Sequence, residues 1–375
     1  DVTCDTPRAS FTWSSPSWAP DQRGVVTKVN IDGHRKKGNL MWVPLDGSEP
    51  TVLLDPAVQR RTVYPLEPWV DAHRFAFVSD GPGQTQLGVF DTRTAATTWL
   101  TAVDQPISSA TALQQGEQHR VVLVTSAPTG DTVLAVDTAS GQVLGTQAVP
   151  TSLSLLGSDD ATRVLYRSTG ASTPQALVQA TLSDSGLAVA DVPMAPSAAS
   201  ANLVACDATA VAFPTWDTDP ATGQPRQLHA YLYTPKDGPP KGEQLVRVKS
   251  FYGGDNAFDT ETQILCAGGV STFSPSVRGS HGFGPAFAAL NDGDLGGDEI
   301  VDLYAAARWL DEQGYSADRI GVYGRSHGGY ATMRAMTFPP GTNGHEASAV
   351  FPFAFGMGDA GFADIGYFHD HCNIP

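Results

Sequence analysis

Three stretches in the first half of the chain share one alternation of apolar and polar positions. NLMWVPLDGSEPTVLL from Asn39, QLGVFDTRTAATTWLT from Gln86 and TVLAVDTASGQVLGTQ from Thr132 each read as a strand, a polar turn and a second strand. The turns carry Asp46, Asp91 and Asp137 at matching places, 45 and 46 residues apart. ALVQATLSDSGLAVADV from Ala176 is a weaker fourth copy, and a further strand, such as RFAFVSD or RVVLVTS, lies upstream. PSWAPDQRGVVTKV near the start reads as the inner strands of one more unit. A repeat of roughly 40–50 residues holding several short strands predicts propeller blades, of which about four or five are readable. Evenly spaced strands also suit a β-sandwich. The recurring Asp turn favours the propeller.

Beyond about Ala195 the pattern changes. QLHAYLYTP and QLVRVKSFYGG read as strands, and DEIVDLYAAARWLDEQG (Asp298–Gly314) places Ile300, Leu303, Tyr304, Ala307 and Leu310 at helical spacing. Acidic residues open that segment, as suits the positive end of a helix dipole. The strand RIGVYG, a turn and a second helix follow. Strand, helix, strand, turn, helix is the order of an α/β sheet. The expected division is residues 1–195 as β-propeller blades and 196–375 as an α/β domain.

Composition narrows the partners more than the fold. At 375 residues with 41% hydrophobic and 17% charged, the chain is long enough for two domains with sizeable cores. A formal net charge of −16 argues against a nucleic-acid backbone as partner, and no apolar run approaches a membrane span. Cys4, Cys206, Cys266 and Cys372 are widely spaced and form no CxxC pair, so a zinc site is not expected. An even count fits one or two disulfides in an exported protein, and equally fits buried free thiols. Few Lys, many Ala, Thr, Gly and Pro, and a first residue other than Met lean toward an exported bacterial enzyme; any leader is expected either to have been removed already or never to have been part of this sequence.

The candidate chemistry lies in RIGVYGRSHGGYATM, Arg319–Met333. Gly324-Arg325-Ser326-His327-Gly328 fits G-x-S-x-G, with an apolar strand before it and a plausible helix after it. A serine hydroxyl needs a base to take its proton and donors to hold an oxyanion. A sharp strand-to-helix turn lifts Ser326 above the sheet edge. Gly324, Gly328 and Gly329 supply the room. The backbone N–H of His327 would point into the oxyanion hole, while its side chain would face away from the hydroxyl and is not expected to be the base.

With these residues in place, the chain resembles the prolyl oligopeptidase family of serine peptidases, nearer its acylaminoacyl-peptidase and dipeptidyl-peptidase branches. FPTWDTDPATGQPRQLHAYLYTP resembles the family's lead-in to its hydrolase domain, SVRGSHGFGPAF (Ser276–Phe287) its N-x-RGS-x-G-x-G stretch, and GDLGGDEIVDLYAAARWL the segment that follows. GRSHGGY is close to the family's G-x-S-x-GGY nucleophile motif. The resemblance implies a β-propeller followed by an α/β-hydrolase domain, no cofactor, no metal and peptide substrates. KSFYGGDN (Lys249–Asn256) sits where many members place an oxyanion-hole Tyr, so Tyr252 is expected to be that donor; a packing role is the alternative.

The same resemblance puts the triad Asp roughly eighty residues beyond the Ser and the His roughly thirty further on. Pro375 stands 49 residues after Ser326, so no position here matches either partner. Asp359 with His369 or His371 would be the candidates within the chain, at unsuitable spacing. HDHC could suggest a metal but reads as a polar surface loop. Both domains are thus expected to be partial, the hydrolase domain lacking its C-terminal part, with the remainder of the same protein as a partner. A serine peptidase acting on short peptides, its propeller restricting access, is the leading reading. An esterase or amidase on the same scaffold and a non-catalytic propeller binding module are the alternatives.

Overall fold

The computed structural model describes residues 9–11, 16–31, 38–58, 60, 62–66, 69–101, 103, 105–193, 204–251 and 253–371. The chain divides into two units, Asp1–Ser168 with Ala176–Met194 and Gly282–Pro285, and Thr169–Gln175 with Ala195–His281 and Ala286–Pro375.

The first half folds as four small sheets. β1 (Ala9–Phe11), β2 (Ser17–Trp18), β3 (Gly24–Ile31), β4 (Gly38–Pro44) and β5 (Thr51–Val52) form the first. β6 (Val63–Pro65), β7 (Arg74–Ser79), β8 (Gln86–Asp91) and β9 (Ala96–Trp99) form the second. β10 (Ile107–Gln115), β11 (Gln118–Ala127), β12 (Gly130–Asp137) and β13 (Val143–Val149) form the third. β14 (Ser152–Ser158), β15 (Arg163–Gly170), β16 (Thr173–Ser183) and β17 (Gly186–Asp191) form the fourth. The last three meander in chain order.

Each sheet packs on the next. Val26 and Leu40 meet Phe75 and Phe77 between the first and second sheets; Ala76, Val78 and Leu87 meet Val121 and Leu123 between the second and third. Val122 and Val124 face the other way, onto Val164, Tyr166 and Val178 of the fourth sheet. Successive side chains of β11 therefore enter two different cores, as the two-residue period of a strand requires. This serial stacking is propeller-like.

The repeated Asp closes a turn in each copy. Asp46 accepts from the Ser48 N–H at 2.9 Å, Asp91 from the Arg93 N–H at 2.8 Å and Asp137 from the Ser140 N–H at 2.8 Å. These are Asx-type turns, for which a short carboxylate is suited. Hydrogen bonds to Ser48, Arg93 and Ser140 hold the three carboxyls below the usual range. One expectation needs correction. PSWAPDQRGVVTKV is not the start of an additional unit: β2 pairs with β3, and β3 with β4 in the register Gly24↔Pro44 to Asn30↔Gly38. It supplies the upstream strands of the first Asp-turn repeat.

The second unit is built on one six-stranded sheet of β18 (Cys206–Thr218), β19 (Pro225–Pro235), β20 (Val246–Lys249), β21 (Ser271–Pro275), β22 (Ile320–Arg325) and β23 (Gly356–Asp359), in the order β18-β19-β21-β20-β22-β23. β18, β19 and β21 pair antiparallel; β21, β20, β22 and β23 run parallel. Its helices are α1 (Thr260–Ala267), α2 (Pro285–Ala288), α3 (Asp298–Glu312), α4 (His327–Met336) and α5 (Ile365–His371). The helical spacing read from Asp298 onward matches α3, whose Ile300, Leu303, Tyr304, Ala307 and Leu310 are fully buried in a core with Val246, Val248, Phe273, Ile320 and Val322. A disulfide joins Cys206 on β18 to Cys266 on α1. Cys4 and Cys372 lie outside the described residues.

Candidate active site

β22 is flanked by parallel strands on both sides, and Ser326 stands immediately past its carboxyl end as the N-cap of α4. Open α/β sheets place their ligands at such strand ends. Ser326 is exposed and adopts φ 57° and ψ −120°. A non-glycine residue held there carries about 1–3 kcal/mol of strain and persists only if its surroundings fix it. The surroundings do so through the main chain. The Ser326 N–H donates to the Asp359 carbonyl at the end of β23 (2.9 Å), and the Ser326 carbonyl accepts from the Tyr330 N–H (3.2 Å).

The neighbouring glycines are sterically required to different degrees. A Cβ on Gly324 would lie 2.1 Å from Ser250 Oγ and 2.4 Å from the Gly328 carbonyl oxygen. A Cβ on Gly329 would lie 2.7 Å from the Asp359 carbonyl oxygen. Gly328 is the most permissive, its tightest contact being 3.2 Å to Ser250 Oγ. Strand and helix can therefore pass this closely only because residues 324 and 329 lack side chains.

His327 is the first residue of α4, so its N–H is among the amides that an α-helix leaves without an intrahelical partner. Its imidazole stacks on Phe251 at 4.2 Å and meets Tyr330 and Phe362 edge-on at 6.0 and 6.1 Å. Its buried Nε2 has no hydrogen-bond partner among the described residues. Burial lowers its pKa and favours the neutral ring. An imidazole so enclosed makes no hydrogen bond to Ser326.

Tyr252 lies outside the described residues. Described residues on either side of it are held by hydrogen bonds. The Ser250 N–H donates to the Tyr323 carbonyl (2.8 Å). The Gly254 N–H donates to Ser274 Oγ (3.1 Å). Gly254 has φ 80°, and a Cβ there would fall 1.8 Å from Ser276 Oγ. The loop thus leaves β20 next to the turn that carries Ser326.

Asp359 pairs with Arg325 in the sheet, one residue before Ser326, and its exposed carboxylate sits 3.4 Å from Arg325 Nε. His371 Nδ1 donates to the Tyr367 carbonyl (2.9 Å), and its ring stacks on Tyr367; His369 lies on α5. Among the described residues no group of three His, Cys, Asp or Glu is placed to hold a metal ion.

Two contributors lie within the quoted stretches KSFYGGDN and GDLGGDEIVDLYAAARWL but were not themselves singled out. Ser250 is buried and donates to the Gly328 carbonyl at 2.8 Å, with Thr332 Oγ1 at 3.2 Å, so it fastens the β20 loop to the first turns of α4. Its only signal is a small hydroxyl just past a strand end, before FYGG. Glu299 is fully buried and accepts from the Gly297 N–H (3.1 Å) and the Gly296 N–H. The Gly296 carbonyl in turn accepts from Arg334 Nε of α4 at 2.9 Å. Burial pushes the Glu299 carboxyl up to about 7.

Against known proteins, residues 256–371 match the prolyl oligopeptidase family model. Dipeptidyl aminopeptidase BIII of Pseudoxanthomonas mexicana is 30% identical over 138 residues, 34% of this chain and 20% of that protein. The acylamino-acid-releasing enzyme of Mus musculus is 28% identical over 120 residues, 31% of this chain and 16% of that protein. A crystal structure of puromycin hydrolase superposes with a TM-score of 0.67 at 20% identity, covering 86% of this chain and 50% of that one. A putative dipeptidyl aminopeptidase IV from Bacteroides ovatus gives 0.67 at 19%, covering 88% and 50%. The chain thus spans about half of these solved chains, and its aligned segment a fifth or less of the curated relatives. The solved structures share its fold, a propeller part followed by a hydrolase part. The segment that matches the prolyl oligopeptidase family, residues 256–371, is the one that holds the Ser326 turn.

Proposed function

We propose that the complete protein is a serine peptidase that hydrolyses short peptides through an acyl-enzyme on Ser326. The observation that carries this reading is the exposed Ser326 held at φ 57° past the carboxyl end of β22. In the proposed reaction Ser326 Oγ attacks the scissile carbonyl carbon while a base takes the hydroxyl proton. The His327 N–H and the Tyr252 hydroxyl hold the resulting oxyanion. Collapse of that intermediate breaks the C–N bond, the base returns its proton to the leaving amine, and water then hydrolyses the ester. The base and its orienting carboxylate are assigned to polypeptide outside these 375 residues. This is supported by the engagement of Asp359 with Arg325 and of His327 with an aromatic cage. The propeller is assigned the role of restricting substrate access. The buried Cys206–Cys266 bridge supports an exported protein, since such bonds persist in oxidising compartments.

A serine-directed fluorophosphonate applied to the complete protein tests the nucleophile. Ser326 should be the labelled residue, and Ser326→Ala should lose turnover by several orders of magnitude with unfolding unchanged. Labelling elsewhere, or full activity in the variant, would remove the proposal. Comparing kcat/KM for peptide and p-nitrophenyl ester substrates separates a peptidase from an esterase.

A further inference from the structure

We propose that Glu299 is a positioning residue for Ser326: through one turn, residues 294–297, its carboxyl sets the seat of the helix that carries the nucleophile. The proposal deepens the peptidase reading and rests on it. Glu299 stands in the first turn of α3 and is fully buried. Nothing in the proposed reaction uses it. The groups that meet its two oxygens are donors. They are the Gly296 N–H, the Gly297 N–H at 3.1 Å, and the Asn291 amide at 3.2 Å with its NH2 oriented toward the acceptors around it. A carboxyl taken out of water is costly even when so paired, so a role in stability alone accounts poorly for it.

What the carboxyl holds reaches the catalytic turn in two steps. Residues 294–297 give N–H groups to Glu299 and carbonyls to α4. The Gly296 carbonyl accepts from Arg334 Nε at 2.9 Å, and the Leu295 carbonyl from the Tyr330 hydroxyl at 3.5 Å. Tyr330 and Arg334 are four residues apart and so lie on one face of α4. The fit leaves no slack: Gly296 adopts φ 85°, and a Cβ there would fall 2.0 Å from the Tyr330 hydroxyl oxygen. Tyr330 in turn donates its N–H to the Ser326 carbonyl (3.2 Å), and its ring meets the His327 imidazole edge-on at 6.0 Å. A shift of residues 294–297 is therefore passed to α4, and with it to Ser326 and the His327 N–H. Misplacing reacting groups by about 1 Å can cost roughly a hundredfold in rate. Glu299→Gln keeps the shape but sets an amide NH2 among donors, so one of the N–H groups it meets would lose its acceptor.

The test uses the complete protein with a peptide substrate, and counts active sites by fluorophosphonate titration. Glu299→Gln should lower kcat per titrated site about tenfold or more, with KM changed less than about twofold, because the positioned groups act in the transition state. Arg334→Met releases the same residues from their other side and should lower kcat comparably. The double variant should lose little more than the worse single one, because both act through one element. If Glu299→Gln does not fold, Arg334→Met carries the test alone. Fewer titratable sites with wild-type kcat at each would make Glu299 a structural residue and overturn the proposal. So would losses that multiply in the double variant, or a rise in KM with kcat kept. If Ser326 of the wild type takes no label, the peptidase reading falls and this proposal with it. If it labels and both variants turn over at the wild-type rate, the positioning role alone is refuted.

Discussion

Replacing both Cys206 and Cys266 by Ala should cost the chain about 4 kcal/mol of stability. The bridge joins residues 60 apart in sequence with Cα atoms 5.5 Å apart, tying the edge strand β18 to α1. Constraining a loop of that length removes unfolded-state entropy worth about 4 kcal/mol at 25 °C. Both cysteines are buried, at 0% and 3% exposure, among Ala171, Tyr231 and Tyr233, so truncation to Ala also loses packing. A protein of ordinary stability, about 5–15 kcal/mol, would lose a large share of its margin. Urea unfolding of the oxidised wild type, the double variant and the wild type unfolded under strong reductant supplies the numbers. The double variant and the reduced wild type should lose similar amounts, with m unchanged or slightly larger. A loss under about 1 kcal/mol in both would refute the loop-entropy argument. A loss confined to the double variant would show that packing around the sulfurs matters and the cross-link does not.

Three further expectations concern the candidate site. Gly324→Ala would drive a Cβ to 2.1 Å from Ser250 Oγ, so stability should fall by about 1–3 kcal/mol or more, and fluorophosphonate labelling of the complete protein should fall with it. Labelling at the wild-type rate would show that the turn tolerates a wider spacing. Glu299 has a folded-state pKa of about 7 against an ordinary 4.5, so its neutral form is the one the fold favours. Its contribution to stability should therefore be complete below about 4.5 and decline as pH rises to about 7, and Glu299→Gln should be flatter across that window in urea midpoints; parallel curves for the two proteins would contradict this. Tyr252→Phe in the complete protein should lower kcat about a hundredfold with little change in KM, and retention of full activity would exclude the proposed oxyanion role.

Features with a short sequence period were legible from sequence, whereas features that depend on distant approach were not. The Asp46, Asp91 and Asp137 turns could be located because each is made by a residue and its neighbours two or three positions on. The face of α3 could be read because helical spacing survives as a pattern of apolar letters. The Ser326 turn was recognisable because its steric demands fall on adjacent glycines. In contrast, Ser250 acts across 78 residues on the Gly328 carbonyl, and nothing about one serine announces that. The pairing of Cys206 with Cys266 was one of several open options, fixed only when β18 and α1 come together. The strand pairing of PSWAPDQRGVVTKV was misassigned because alternation identifies a strand without naming its sheet partner.

The clamp on Ser326 has a bearing on how the protein could be altered. The contact from β23 is made by the Asp359 carbonyl, a group every residue possesses. The Asp359 side chain is spent on Arg325, with both partners largely in solvent at 58% and 75% exposure, and an ion pair so placed holds little energy. Positions 325 and 359 thus flank the proposed nucleophile while its backbone geometry is indifferent to what they carry. A combinatorial library restricted to these two positions would re-dress the rim of the site with new charge, bulk or polarity. The strained turn beneath it would stay intact.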